Sequence, residues 1–361
     1  MNSLSTSRAI IISARKLQIP AITSRSEEFE MQVLKLKRLA AALAIGAGIA
    51  TPSLAQSDVG TSPWGPEDEL GRLNMMTSRS RQEIMSMVAA DKVYDLSVEY
   101  FVGMPSWQAA GDPHYQIWMT HTPRGTVIDD PMNVGDEMNA HVGYTGSAIS
   151  MYTHSGTHID AFNHFGLNGK IYNGFSADEH LGDRGWKKTG AETIPPIVAR
   201  GVLVDVAAAK GVSMLGDAYR ITRDDIETAL RIQNTDIREG DVVLIRTGRM
   251  QVYEDAGQYM ANPPGLGLDA AKYLVEEAGA MILGADNLSF EAFPSESEDN
   301  YIPLHTYLLA QMGVPIMELV YLEDLAKDKV YEFAFVGGSL KLRGADASPM
   351  RPIAFPLQKG R

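Results

Sequence analysis

The chain has 361 residues, 45% of them hydrophobic and 21% charged, the usage of a folded globular protein long enough for one large or two ordinary domains. Lys and Arg number 32 against 45 Asp and Glu, a formal net charge of −13, and no basic stripe runs through the body, which argues against a nucleic-acid partner. Cys is absent, so disulfide frameworks, thiolate metal sites and Cys nucleophiles are excluded.

In chain order, Met31 to Ala55 has the three parts of a secretory signal: Lys35, Lys37 and Arg38, the apolar run Leu39 to Ala50, and small residues at Ser53-Leu54-Ala55 before Gln56. The run is shorter than the roughly 20 residues a bilayer-spanning helix needs. Residues 1–30 are then a non-structural extension, and 56–361 a single catalytic domain, periplasmic or secreted and free of membrane once the signal is removed. An entry arm over 56–75 precedes a helix starting near Ser78 or Ser80, with Ile84, Met85, Met87 and Val88 as its apolar side. Strands are expected at Val93–Val98 and Tyr115–Met119. The stretch 125–146, rich in Gly, Asp, Asn and Pro, is expected to be a long loop near the site.

Buried-strand signals follow at Val202–Val206, Val242–Ile245, Met281–Leu283 and Phe333–Val336. Between them lie helix signatures. Thr222-Arg223-Asp224-Asp225 resembles a capping box, Asp269 opens a helix ended by Gly279, and Ile302 to Met312 closes at Gly313. Strands alternating with helices indicate an α/β protein with a mixed sheet. Gly265-Leu-Gly267 imitates a dinucleotide fingerprint, but Asn262-Pro263-Pro264 stands where its strand is required, so it is expected to be a loop leading into a helix. Trp64, Trp118 and Trp186 are expected to pack. His114, His121, His141 and His180 are expected to be mostly solvated, with His121 and His141 as outside candidates for a pocket wall.

Three of the eight His fall in one window, His154-Ser-Gly-Thr-His158-Ile-Asp160-Ala-Phe-Asn-His164. Counted from His154, the polar positions are all even, which places them on one side of an extended chain and on diverging faces of a helix. A straight strand would hold His154 and His158 about 13 Å apart, too far for one ion. The chain must therefore bend, and Gly156 is where a bend is cheapest. Two imidazoles and a carboxylate leave coordination positions open, as catalytic sites do, and suit Zn²⁺ or Mn²⁺. The competing reading is a His-rich surface loop. His305 sits among Leu304, Leu308 and Leu309, where a lone His is more often a core residue than a ligand.

The string His154 to His164 resembles the signature H-x-G-T-H-x-D-x-P-x-H of the cyclase family, which includes bacterial kynurenine formamidase and isatin hydrolase; Phe162 replaces the Pro. Further similarity lies in Ile302-Pro-Leu-His305, Gly313-Val-Pro-Ile-Met-Glu318, Asp95-Leu96-Ser97, Gly103-Met-Pro105-Ser-Trp107 and Ser348-Pro349-Met350-Arg351-Pro352. The resemblance implies the swivelling β/β/α fold and metal-dependent hydrolysis of amide-like bonds. It implies His154, His158 and Asp160 as ligands of a first ion, with Asp160 bridging to a second held by His305 and Glu318. By the same resemblance His164 is the acid/base and Trp107 a substrate contact, with Phe162 as a changed wall beside His164. Resemblance to dimeric relatives implies a homo-oligomer.

Such a ligand set, holding one or two ions, lowers the pKa of bound water toward 7, so that a metal-bound hydroxide attacks the carbonyl and His164 protonates the departing nitrogen. The expectation is hydrolysis of a non-peptide C–N bond in a small amide, formamide or lactam. Lactone or ester hydrolysis uses the same attack, and a non-catalytic periplasmic metal- or ligand-binding protein is the reading outside enzymology.

Overall fold

The computed structural model describes residues 58–358. The expected signal Met31 to Ala55 and the extension 1–30 lie outside them. No helix among the described residues is long and apolar enough to cross a membrane.

The strands are β1 (Tyr94–Asp95), β2 (Gln116–His121), β3 (Gly146–Ser150), β4 (His158–Asp160), β5 (Ile197–Asp205) and β6 (Val242–Arg246). They continue with β7 (Ile282–Ala285), β8 (Ile316–Glu318), β9 (Glu332–Gly337), β10 (Ala347–Pro349) and β11 (Ile353–Pro356). Nine of them form one sheet in the order β1-β11-β9-β5-β6-β7-β8-β4-β10. Neighbours among β5, β6, β7 and β8 run parallel, and the pairs on either flank are antiparallel. The sheet is mixed, as the alternation of strand and helix signals predicts.

Alternation along each strand divides the core in two. Val202 and Val204 of β5, Val243 and Ile245 of β6 and Leu283 of β7 face one cluster, where helices cover them. Those helices are α4 (Arg223–Gln233), α5 (Leu268–Lys272, continued to Glu277 as a wider turn) and α6 (Pro303–His305, continued likewise to Met312). Leu203, Val242, Leu244 and Ile282 face the other cluster, with Phe333, Phe335 and Met317. α4 begins at the anticipated capping box: Asp225 N donates to Thr222 Oγ1 at 3.3 Å and Thr222 N to Asp225 Oδ2 at 3.1 Å. α6 ends at Gly313 with φ +60°, a left-handed cap that a side chain would disturb.

Several expectations need correction. α1 (Ser78–Ser86) forms, capped by Thr77, but it buries only Ile84; Met85 and Met87 are exposed, because the helix touches the body along a single line. The strand expected at Val93–Val98 is cut to two residues. Trp64 and Trp118 are exposed rather than packed. Gly265–Leu266 pairs with Arg220–Ile221 as a two-residue strand where a loop was expected.

The stretch 125–146 is not a long loop near the site. It contains most of α2 (Pro123–Asp129) and all of α3 (Asp136–His141), carried between β2 and β3. The residues that look like loop punctuation are caps. Thr122 Oγ1 accepts from Gly125 N at 3.0 Å, Pro123 opens α2, and Asp130 closes it with φ +39°.

Candidate metal centre

β4 is three residues long, and alternation decides its chemistry. Ile159 enters the second core cluster, leaving His158 and Asp160 to the opposite side. His154 reaches the same point because the chain bends at Gly156, whose φ is +61°. The two imidazole centroids come to 5.0 Å. A Cβ at Gly156 would lie 2.3 Å from the Tyr100 ring, so glycine is required there by sterics as well as by torsion. Tyr100 Oη donates to Ser155 O at 2.8 Å, and Thr157 Oγ1 donates to Leu319 O at 2.6 Å, fixing the turn on both sides.

Glu318 arrives by strand register. β8 runs antiparallel to β4 and sets Glu318 opposite His158. His305 comes from the first turn of α6, opened by Pro303 and anchored by Leu304, Leu308 and Leu309 in the core. Glu318 and Glu291 each adjoin a non-glycine residue in the left-handed region, Leu319 at φ +52° and Phe290 at φ +49°. Strained backbone of this kind collects at functional turns.

His154, His158, Asp160, His305 and Glu318 are all buried. His154 Nδ1 lies 2.9 Å from Asp160 Oδ1, and His158 Nε2 lies 3.4 Å from that oxygen and 3.5 Å from Glu318 Oε2. His305 Nε2 lies 3.4 Å from Glu318 Oε1 and 3.8 Å from Asp160 Oδ2. Asp160 thus turns one oxygen to His154 and His158 and the other to His305. His158 Nε2, both Asp160 oxygens and Glu318 Oε1 are buried with no hydrogen-bond partner. Leaving so many polar atoms unpaired is costly unless something else satisfies them. First-sphere bonds of about 2.0–2.2 Å put neighbouring donors about 2.8–3.6 Å apart, which all but the 3.8 Å pair meet. The residues present fit a divalent cation.

The outer nitrogens of His158 and His305 are hydrogen-bonded to oxygens, whereas that of His154 lies near a carboxylate without bonding it. His158 Nδ1 donates to Gly156 O at 2.8 Å, His305 Nδ1 to Glu291 Oε1 at 2.9 Å, and His154 Nε2 faces Asp346 Oδ2 at 3.6 Å. Such partners fix which nitrogen is left for the metal. Glu291 also accepts from the backbone N–H groups of Leu304 and His305, both at 3.2 Å. Burial disfavours the His154 cation, but Asp160 and then Asp346 outweigh it and lift its pKa to about 10. His305 is lifted to about 10 by Glu291 and Glu318 against the same burial. His164 is driven well below its ordinary value by burial and by His154, whose ring lies 4.0 Å away.

Of these groups, His154, His164, His305 and Glu318 line a cavity of about 350 Å³. Trp107, Phe165, Phe293, Tyr152 and Tyr301 supply its aromatic walls, with Asp112 at the rim. Trp107 meets Phe293 edge-on at 6.1 Å. Phe162 is not among the lining residues. It is buried in the first core cluster against Tyr172, with 5.1 Å between ring centroids, because its place after β4 turns it under the sheet. His121 and His141 are also absent from the lining: His121 is the last residue of β2 and His141 the last of α3. Sequence reasoning missed Glu291 and Asp346, which carry no local pattern, and missed Phe165, whose position beside His164 was a usable signal.

The family model described as "Putative cyclase" matches residues 94–292, more than half of the chain and the whole string His154 to His164. The chain is 26% identical over 266 residues to cyclase-like protein 3 of Oryza sativa subsp. japonica, covering 73% of this chain and 79% of that protein. It is 26% identical over 269 residues to cyclase-like protein 2 of Arabidopsis thaliana, covering 73% and 78%. Among solved structures, a novel cyclase superposes with a TM-score of 0.72 at 27% identity, covering 83% of this chain and 100% of that one. Isatin hydrolase A from Ralstonia solanacearum superposes with a TM-score of 0.56 at 20% identity, covering 73% and 91%, a likeness of fold.

Proposed function

The chain belongs to the cyclase family, and from that premise we propose that it is a metal-dependent hydrolase of a non-peptide C–N bond in a small aromatic or cyclic amide. One observation carries the reading: buried, unpaired donors of His158, Asp160 and Glu318 converge with His154 and His305, and His154, His305 and Glu318 open onto an aromatic-walled cavity. His154, His158 and Asp160 would hold a first Zn²⁺ or Mn²⁺, and Asp160, His305 and Glu318 a second. A divalent ion there supplies a Lewis acid that lowers the pKa of water and polarises a carbonyl.

The rest falls to side chains. Trp107, Phe293 and Phe165 offer flat apolar faces that admit a planar ring and exclude bulk water from the floor. Net hydrolysis forms a C–O bond from water, breaks C–N and moves one water proton to the departing nitrogen. His164, held neutral by burial, accepts that proton and returns it to nitrogen. Asp346 Oδ2, 3.9 Å from His164 Nδ1, steadies the ring while it is charged.

The test is elemental analysis of purified protein coupled to turnover on formanilides, lactams, lactones and isatin with Zn²⁺ or Mn²⁺. His158→Ala is expected to lose the ion and at least 10³-fold in turnover, the order by which losing an activated nucleophile slows hydrolysis. Turnover by metal-free variant would refute the reading, turnover confined to lactones would move it to esters, and bound metal without turnover would leave a binding protein. Export is part of the proposal and predicts a mature product beginning at Gln56.

A further inference from the structure

The cavity beside the metal centre is one-sided in charge. Its lining includes the carboxylates of Asp112 and Glu318 and no Lys or Arg. Most of its wall is aromatic, and the rings stand at steep angles to one another. Trp107 meets Phe293 at 76°, and Phe165 meets Tyr301 at 64° with 6.4 Å between centroids. Aromatic faces carry the negative side of the ring quadrupole, so rings gathered around a pocket beside a carboxylate attract a cation. At about 350 Å³ the space suits a single ring with a small substituent.

Asp112 is placed for that role. It follows the single turn Gln108–Ala110, which Gly111 closes at φ +95°, and it is half-buried in the lining with Ala110 and Trp107. Among the described residues, no cation pairs with its carboxylate. Glu298 and Asp299, exposed in the segment just before Tyr301, add negative charge without ion pairs of their own among the described residues. The metal centre does not reverse the sign. Asp160 and Glu318 lie in it, Glu291 and Asp346 stand behind it, and these four carboxylates would balance even two divalent ions. An anionic substituent on the ring would therefore meet Asp112 with no Lys or Arg to answer it, whereas a cationic one would find both rings and a counter-charge.

We propose that the cavity takes amides whose ring carries a cationic group, an ammonium or a quaternary amine, and that Asp112 is the side chain that selects them over neutral and anionic counterparts. As a statement about turnover this rests on the hydrolase reading; as a statement about binding it does not.

Three formanilides of matched shape test it, with trimethylammoniomethyl, neopentyl or sulfonatomethyl at the para position, where the methylene insulates the amide from the charge. At about 0.15 M salt, kcat/KM is expected to fall about tenfold from cation to neutral compound and further to the anion, and the order is expected to persist at about 0.5 M. Asp112→Asn is expected to shrink the cation-to-neutral ratio about fivefold, and Asp112→Lys to invert the cation-to-anion order. Ratios read within one preparation cancel any loss of folded enzyme. Absence of turnover on all three counts against the hydrolase reading, and calorimetry then decides the inference. Benzyltrimethylammonium is expected to bind the wild-type protein about tenfold more tightly than phenylmethanesulfonate, and Asp112→Asn to lose most of that margin. An equal or reversed order in the deciding assay, or an order that Asp112→Asn leaves intact, overturns the proposal. An order that vanishes at high salt assigns the selection to the diffuse net charge of the chain rather than to the cavity, and overturns it too.

Discussion

The ligand-bearing turn around β4 and the arm from Gln116 to Ser150 are separated by a few residues and are built on opposite terms. The turn is closed on every side. Tyr100 holds its backbone, Val98 and Leu319 hold the Thr157 hydroxyl, and its buried polar side chains include His158 Nε2 and both Asp160 oxygens, which have no hydrogen-bond partner. The arm is closed only on itself, with its caps satisfied internally and its apolar side chains turned outward. The contrast teaches where each region's stability comes from. The turn buries polar groups that lack partners, whereas the arm exposes apolar ones.

The sharpest way to break that contrast is Gly156→Ala. The added methyl meets the Tyr100 ring at 2.3 Å on a backbone at φ +61°. A left-handed non-glycine residue costs about 1–2 kcal/mol and overpacking about 1–3 kcal/mol. For a chain of this size the sum lowers Tm by about 10 °C. Since the bend is what brings His154 to His158, the variant is also expected to purify without metal. A metal-replete Gly156→Ala protein would show that the turn is less determined than its contacts imply.

A smaller effect is expected one layer out. Glu291→Gln keeps an acceptor for His305 Nδ1 but removes the charge that also receives two backbone N–H groups. Changes to such orienting carboxylates typically weaken metal affinity 10–100-fold. With two ions held as proposed, the loss should fall on the one at His305 and Glu318 and spare the one on the His154 side, and calorimetric metal titration would then read two steps. Asp346→Asn, at 3.6 Å from His154, should show the converse and weaker pattern.

These two carboxylates also mark the limit of what was legible in the residues alone. The string from His154 to His164 declares itself because even spacing, a central glycine and the aspartate are local facts, and a three-residue strand with one bend realises them. Glu318 and His305 needed the family resemblance, since what joins them is the β8–β4 register and the start of α6, neither of which has a sequence period. Glu291 and Asp346 had no signal, being single acids in irregular chain. Phe162 misled because adjacency to His164 in sequence is not adjacency in space: it turns under the sheet to Tyr172. The buried strands β5, β6, β7 and β9 were readable from apolar runs, while the arm's helices hid behind Gly, Pro and Asp that serve as caps.

Protonation offers a gentler probe of the same turn. Without metal, the carboxylates lift His154 and His305 to about 10, so near neutral pH both hold protons that a cation must displace. A histidine raised in the folded state stabilises fully below its unfolded pKa of about 6.5 and loses that contribution as pH climbs through the folded value. The chelated protein should therefore lose Tm between about pH 6.5 and 10. The metal-loaded protein, whose imidazoles are neutral ligands throughout, should not, so the gap between the two widens with pH. A gap independent of pH would mean that these imidazoles do not exchange protons for metal.

The smallest expected effect bears on the arm. Ile128 in α2 and Ile232 in α4 are the same side chain at nearly the same exposure, 68% and 62%. Replacing either by Ser removes a similar apolar area, so in dilute protein each should shift stability by less than about 0.5 kcal/mol. Their surroundings differ. Ile232 stands on a helix packed against the body, and Ile128 belongs to the segment that holds half of the exposed large apolar side chains. If the homo-oligomer implied by the family resemblance covers the arm, Ile128→Ser should raise the dimer dissociation constant by about tenfold and Ile232→Ser should leave it unchanged, because only buried interface positions cost more than about 1 kcal/mol on truncation. Sedimentation across a concentration series distinguishes the two. Equal behaviour of the pair would mean that the arm's apolar surface is exposed in the same sense as any stray isoleucine, and that nothing covers it.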